Sequence, residues 1–152
     1  MITDKTQNKV KMSFHKLVLG FANEMALYIL EEHGKDFDLS IKTHHGSRSY
    51  GGVGYITIAD RHEAKPRKTA YTLKEYKSIA NDAVIGTIKG SNETTVKALV
   101  AHEIAHWFHH SLMKEEGGDY WYRNPEYRKG YNSPHGKHWQ EIYAELRIKF
   151  VN

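Results

Sequence analysis

The chain has 152 residues, which suits one domain with a single hydrophobic core. It contains no cysteine, which excludes a disulfide framework and a cysteine-ligated zinc ribbon. No apolar run is long enough to span a membrane, and residues 1–9 lack the apolar segment of a secretory signal, so we predict a cytoplasmic protein without a membrane partner. The net charge of +4 is compatible with nucleic acid as a partner, and eleven histidines favour metal binding.

The first third of the chain predicts a long helix. Residues 1–12 are mostly polar, so we expect a disordered N-terminus followed by a single domain over 13–152. Apolar residues recur at helical spacing from Phe14 to His33. Ser13 is a candidate N-cap for this amphipathic helix, and Gly34 is a candidate stop signal.

Three short strands are predicted for the middle of the chain, from alternating apolar residues or β-branched composition. They are Phe37–Ile41, Val53–Ala59 and Ala83–Ile88, the last ended by Gly90. The connections are predicted as a Gly/Ser-rich loop at His44–Gly52, an exposed basic loop at Asp60–Ala70 and a short helix at Leu73–Ala80. Together with the flanking helices, these strands indicate an α+β fold.

Two further helices are predicted for the second half. The segment Asn92–Met113 has one apolar face, and Ser91 or Asn92 can cap its start. A long polar and aromatic connection, Lys114–Pro134, follows it. The segment Lys137–Val151 again has apolar residues at helical spacing.

The residues that carry chemistry lie on the helix over Asn92–Met113. His102, Glu103 and His106 form an H-E-x-x-H pattern. Residues i and i+4 share one helix face, so both imidazoles can reach one tetrahedral Zn²⁺. Glu103 is turned roughly 100° around the helix, where it can reach a water on the metal and act as general base.

A catalytic zinc site with an open position for water needs a third protein ligand. The candidates all lie around the start of the last predicted helix: His135, His138, Glu141 and Glu145. A glutamate that is not the ligand could accept a proton from a ligand imidazole. Gly136 beside the first candidate permits a close backbone approach or a positive φ.

An H-E-x-x-H helix followed by His135-Gly-Lys-His-Trp139 resembles the SprT-like zinc metalloproteases, which include the bacterial SprT proteins and the Spartan protease of animals. The resemblance implies a zincin-like minimal metalloprotease domain, with an N-terminal helix, about three strands, an active-site helix and a C-terminal helix. It implies that His135 is the third zinc ligand and that Trp139 packs under the site. It also implies protein substrates held on DNA, although the zinc ribbon of many relatives is absent here.

The function predicted from these features is hydrolysis of peptide bonds at zinc. A non-catalytic metal-binding or DNA-binding protein with a zincin fold is the alternative, and a hydrolase of non-peptide amides is a second one. Interleaved aromatic and basic residues at Tyr120–Lys129 are typical of a single-stranded nucleic-acid platform or of a lid over the site. Lys65, Arg67 and Lys68 indicate a solvated loop instead. The ten tyrosines leave the oxyanion stabiliser open.

Overall fold

A computed structural model describes residues 2–5, 10–60, 71–74 and 87–152 of the chain. Its elements run β1 (Ile2–Lys5), α1 (Met12–His33), β2 (Leu39–His44), β3 (Tyr50–Gly52), β4 (Tyr55–Ala59), β5 (Tyr71–Lys74), β6 (Thr87–Gly90), α2 (Asn92–Gly117) and α3 (Lys137–Leu146). Three short 3₁₀ turns, Trp121–Arg123, Pro125–Tyr127 and Gly130–Asn132, lie between α2 and α3, and a π-helical turn, Arg147–Val151, follows α3. The predicted α+β class is therefore confirmed.

Helix α1 forms as its apolar spacing predicts, and its buried face includes Phe14, Val18 and Met25. Its end is also as predicted, because Gly34 takes the left-handed conformation at φ 66° and donates its backbone N–H to Leu30 O. The start differs from the prediction. Lys11 is the N-cap and makes no side-chain cap hydrogen bond, so Ser13 lies inside the first turn.

The main sheet has four strands in the order β1-β2-β4-β3. Strand β2 is parallel to both of its neighbours, β1 and β4, and β3 is antiparallel to β4. The prediction of a disordered N-terminus over residues 1–12 is wrong for Ile2–Lys5, because β1 pairs with β2 in register from Ile2↔Leu39. Because this pairing joins residues that are far apart in the sequence, no pattern within the N-terminal segment alone indicates the strand.

The β3–β4 hairpin replaces part of a predicted loop and shortens a predicted strand. Tyr50–Gly52 belongs to β3 although His44–Gly52 was predicted as loop. Strand β4 starts at Tyr55 instead of Val53, because Gly54, at φ 82°, forms the turn between the two strands. Strand β3 could not be predicted from β-propensity, because it contains two successive glycines and no β-branched side chain.

Strands β5 and β6 form a separate antiparallel pair. Leu73 and Lys74 are in β5, so the helix predicted over Leu73–Ala80 is wrong at its start, and its remainder lies outside the described residues. Strand β6 covers Thr87–Gly90, so Gly90 belongs to the strand that it was predicted to end. Residues 83–86 of that predicted strand and residues 61–70 of the basic loop also lie outside the described residues.

The core lies where α1 and α2 pack on one another and on the sheet. Ile41, Ile56 and Ile58 from the sheet meet Val100 and Ile104 of α2, and all five are fully buried. Each such side chain stabilises the fold by about 1.5–3 kcal/mol relative to exposure. Helix α2 is covered by α1, β3, β4 and α3, so its central residues are held from several sides.

Candidate metal centre

Helix α2 places His102, Glu103 and His106 in the centre of its buried length. Ser91 caps the helix as predicted, accepting from the Thr94 backbone N–H at 3.4 Å. The helix continues to Gly117, beyond the predicted end at Met113. His102 and Glu103 are each only 5% exposed, and His106 is 8% exposed. The site is thus set into the protein and not on a solvated histidine-rich surface.

His135 is brought to the two helix histidines from the end of the connection before α3. Its Nε2 lies 3.1 Å from His106 Nε2 and 3.2 Å from His102 Nε2. Tetrahedral coordination at 2.0–2.1 Å places ligand nitrogens about 3.3 Å apart, so the two distances from His135 are those expected for ligands of one metal ion. These residues form a cluster that could hold a metal ion, with all ligand atoms within 4.8 Å of one another.

The three imidazoles are held in the neutral form that a metal requires. Burial, and secondarily the neighbouring His135, lowers the pKa of His102 to about 3. Burial and the surrounding histidines lower the pKa of His106, and burial lowers that of His135. The donor set of neutral nitrogens is one that zinc and other borderline transition metals prefer.

Trp139 packs against all three histidines of the cluster, as the family resemblance of its motif implied. Its ring centroid lies 4.6 Å from that of His102, 5.0 Å from His106 and 4.7 Å from His135. Its indole Nε1 donates to His102 O at 3.4 Å. Because Trp139 is fully buried, it limits the rotation of all three imidazoles.

Glu103 lies beside the histidine nitrogens without joining them. Its Oε1 is 3.8 Å from His102 Nε2, a separation that one water molecule can bridge. Burial raises the pKa of the Glu103 carboxyl to about 8. A carboxyl group poised near neutral pH, next to a metal-type cluster, has the properties of a proton-transfer group.

The rival third ligands point elsewhere. His138 Nδ1 is bonded to Asn132 Oδ1 at 2.8 Å, Glu141 accepts from Tyr131 OH, and Glu145 accepts from Tyr28 OH. These three residues follow one another at helical spacing along one side of α3, and buried Trp139 is not on that side. Neither glutamate is bonded to a cluster imidazole in the hydrogen bonds of the described residues, so the predicted role as a proton acceptor from a ligand is not supported.

Strand β3 forms one wall of a cavity of about 260 Å³ that opens onto the cluster. A Cβ at Gly51 would lie 2.3 Å from Glu103 O, so only glycine lets the strand lie this close to α2. Tyr50, Tyr55, His110 and Pro134 also line the cavity. Sequence reasoning missed these residues, and the Gly51-Gly52 pair just before a predicted strand was the one available signal.

The connection between α2 and α3 is folded against α2. Gly117 contacts Tyr127 and Trp121 closely, and the Trp121 ring lies 5.3 Å from that of His110. Gly136 has φ −75°, so the positive φ allowed by the sequence is not used. The glycine is instead needed for the close approach of the backbone, because a Cβ at Gly136 would lie 2.4 Å from Ser133 Oγ and 2.7 Å from Gly130 O.

No family model, no curated protein and no solved structure matches this chain. None of the described helices is both long enough and apolar enough to cross a membrane.

Proposed function

We propose that this protein is a zinc-dependent metallopeptidase of the SprT-like type, with a zincin fold. One observation carries the proposal: the Nε2 atom of His135 lies 3.1 Å and 3.2 Å from those of His106 and His102, and a carboxyl oxygen of buried Glu103 lies 3.8 Å from His102 Nε2. The resemblance of the two motifs to the SprT-like family supports the same function.

The donor set suits a catalytic zinc site better than a structural one. His102, His106 and His135 would hold the ion through Nε2, and among the described residues no fourth His, Cys, Asp or Glu joins their cluster. Structural zinc sites are closed by four protein ligands, whereas catalytic sites keep a position for water. When bound, zinc lowers the pKa of such a water towards about 7 and polarises a carbonyl oxygen.

Glu103 then acts as the proton carrier. Its carboxylate accepts the proton of the water that attacks the peptide carbonyl, and it returns a proton to the amine that leaves. The burial that raises its pKa also shields the transferred proton from bulk water. Tyr50, Tyr55 and His110, which line the cavity, are the described side chains from which an oxyanion stabiliser would come.

The edge of the sheet supports a peptide substrate over a small amide. Strand β3 is terminal in the four-stranded sheet, and within the described part of the chain its outer edge pairs with no strand. An extended peptide can add to such an edge through main-chain hydrogen bonds. Tyr50 and Gly51 of β3 line the cavity with the histidines, so an added peptide would pass the cluster.

Substrates held on DNA are the extension that the resemblance suggests. The exposed Tyr120 and Tyr122 rings flank Arg123, whose guanidinium carbon lies 4.5 Å and 6.0 Å from their centroids. Such an exposed group of aromatic and cationic side chains suits stacking on unpaired bases. The basic residues Lys65, Arg67 and Lys68 lie outside the described residues.

Two measurements test the proposed function. Protein purified without chelator should contain about one zinc per chain, by elemental analysis. Glu103→Gln should keep the zinc and lose peptide cleavage by about 10²–10⁴-fold, because a positioned general base contributes this much. Glu93→Gln, an exposed position on the same helix, is the matched control and should cleave normally.

Each alternative predicts a different result. A non-catalytic metal-binding or DNA-binding protein would bind zinc, but neither the parent protein nor the Glu103→Gln variant would cleave a peptide. A hydrolase of non-peptide amides would show an activity that depends on Glu103, but only on small amides. Cleavage of a protein substrate by Glu103→Gln at the parent rate would refute the assigned mechanism.

A further inference from the structure

The third candidate ligand raises a problem of positioning. His135 is at the end of the 118–136 connection, which has only three short 3₁₀ turns of its own. A long irregular segment has many accessible conformations, so fixing its end next to α2 costs conformational entropy. Contacts specific to this segment must therefore hold His135 in place.

Asn132 makes such contacts on both sides. Its Oδ1 lies 3.2 Å from His109 Nε2, on α2, and 2.8 Å from His138 Nδ1, on α3. Its Nδ2 donates to Glu126 O at 3.0 Å within the connection, and this bond orients the amide. Both ring nitrogens must then carry the proton and donate to the one carbonyl oxygen.

The surroundings make this bridge rigid. His109 is fully buried, and its ring lies 4.7 Å from that of His138. The Tyr131 ring stacks on the other side of His138 at 4.9 Å and 16°, and its hydroxyl donates to Glu141. His109 follows His106 by one helical turn, and His138 follows His135 by three residues, so the bridge spans the two elements that carry the cluster.

We infer that Asn132 is a positioning residue of the metal site: by bridging His109 and His138 it holds His135 at the ion. The inference rests on the proposed function only in requiring that the cluster binds metal. His109 and His138, which are not proposed ligands, take part in this positioning through their bonds to Asn132.

The test is a double-mutant cycle on zinc affinity, measured by competition with a chromophoric chelator. Asn132→Leu removes the shared acceptor at similar size and should weaken zinc binding by about 10–100-fold, as loss of a group that orients a ligand does. In a His135→Ala background the same change should have no further effect, because the ligand that Asn132 positions is gone. Asn124→Ala is the control, since Asn124 caps a 3₁₀ turn of the same connection without reaching α2 or α3.

A spectroscopic measurement separates positioning from general destabilisation. Co²⁺ replaces zinc as the probe, and its visible bands report the number and symmetry of the ligands. Asn132→Leu should shift the Co²⁺ spectrum towards that of His135→Ala, while Asn124→Ala keeps the parent spectrum. If leucine at 132 prevents folding, His138→Phe serves in its place, because it keeps the ring stack on Tyr131 and removes the donor.

Equal losses of zinc affinity in both backgrounds, or no loss in either, would overturn the inference. The proposed function fails separately, if the parent protein binds zinc and shows the Asn132 effect but cleaves no peptide. A parent protein that takes up neither zinc nor Co²⁺ would overturn both.

Discussion

The buried histidines and Glu103 predict that the metal-free protein is most stable near pH 6.5. Burial lowers the pKa of His102 from 6.5 to about 3. Between these two pH values, the His102 imidazole therefore binds fewer protons in the folded state than in the unfolded chain. The stability from this group is present above pH 6.5 and is lost as the pH falls towards 3. His106, whose pKa is also lowered, adds to the loss.

Glu103 has the opposite dependence. Burial raises its pKa from 4.5 to about 8, so the folded state holds the proton more tightly than the unfolded chain. Its contribution to stability is therefore fully present below pH 4.5 and is lost as the pH rises through about 8. Above pH 6.5 the buried histidines become neutral in both states, so among the described groups with a shifted pKa Glu103 determines the trend up to about pH 8.

The dependence of stability on pH has an acidic limb below pH 6.5 and an alkaline limb above it. The size of each limb follows from the linkage between proton binding and folding. A group changes the free energy of unfolding by at most about 1.4 kcal/mol per pH unit between its folded and unfolded pKa values. Between pH 4.5 and 6.5 three buried histidines, His102, His106 and His109, oppose one carboxyl group, which leaves a net loss of at most about 2.8 kcal/mol per pH unit as the pH falls. From pH 6.5 to about 8 the loss through Glu103 reaches about 2 kcal/mol, or roughly 5 °C in Tm for a chain of this size.

Thermal unfolding of chelator-treated protein from about pH 5 to about pH 8.5 measures both limbs. Glu103→Gln removes the carboxyl group and should abolish the alkaline limb while keeping the acidic one. The Glu93→Gln control should keep both limbs. A parent protein whose Tm rises steadily between pH 6.5 and 8, or a Glu103→Gln variant with an unchanged alkaline loss, would refute this account of the site.

The remaining predictions concern the ligand, the sheet edge and DNA. His135→Ala should weaken zinc binding far more than alanine at any rival position, and the reverse order would exclude His135 as the third ligand; the rivals are His138, Glu141 and Glu145. Gly51→Ala should destabilise the fold by about 1–3 kcal/mol in denaturant titration and reduce cleavage, because its Cβ would overlap Glu103 O. The affinity for single-stranded DNA should fall with rising salt concentration in a log–log titration. No binding at low salt would exclude the proposal of DNA-held substrates and leave that of a general peptidase.

The helices and the local part of the site could be predicted from the sequence because their signals are local. The spacing of apolar residues located α1, and Gly34 marked its end. His102, Glu103 and His106 share one helix, so a spacing of four residues already determines which way their side chains point.

The pairings over long distances could not be predicted from residue patterns. Strand β1 is defined by its register with β2, and β3, two of whose three residues are glycine, is defined by its pairing with β4. Asn132 gave no signal at all, because its two histidine partners are 23 and 6 residues away and are joined to it only by the folded connection. Such features depend on tertiary packing, which overrides local propensity.

The contact between Gly51 and Glu103 joins the proposed general base to the sheet edge that we propose for peptide binding. Because β3 lies against the backbone of α2 at Glu103, a peptide added to the outer edge of β3 would be aligned by the same contact that holds Glu103 in place. Such a peptide would be held through its main chain, and main-chain hydrogen bonds select an extended conformation more than a particular sequence. We therefore expect unfolded proteins to be cleaved at many sites, while folded domains of the same composition, whose backbone is already paired, resist cleavage.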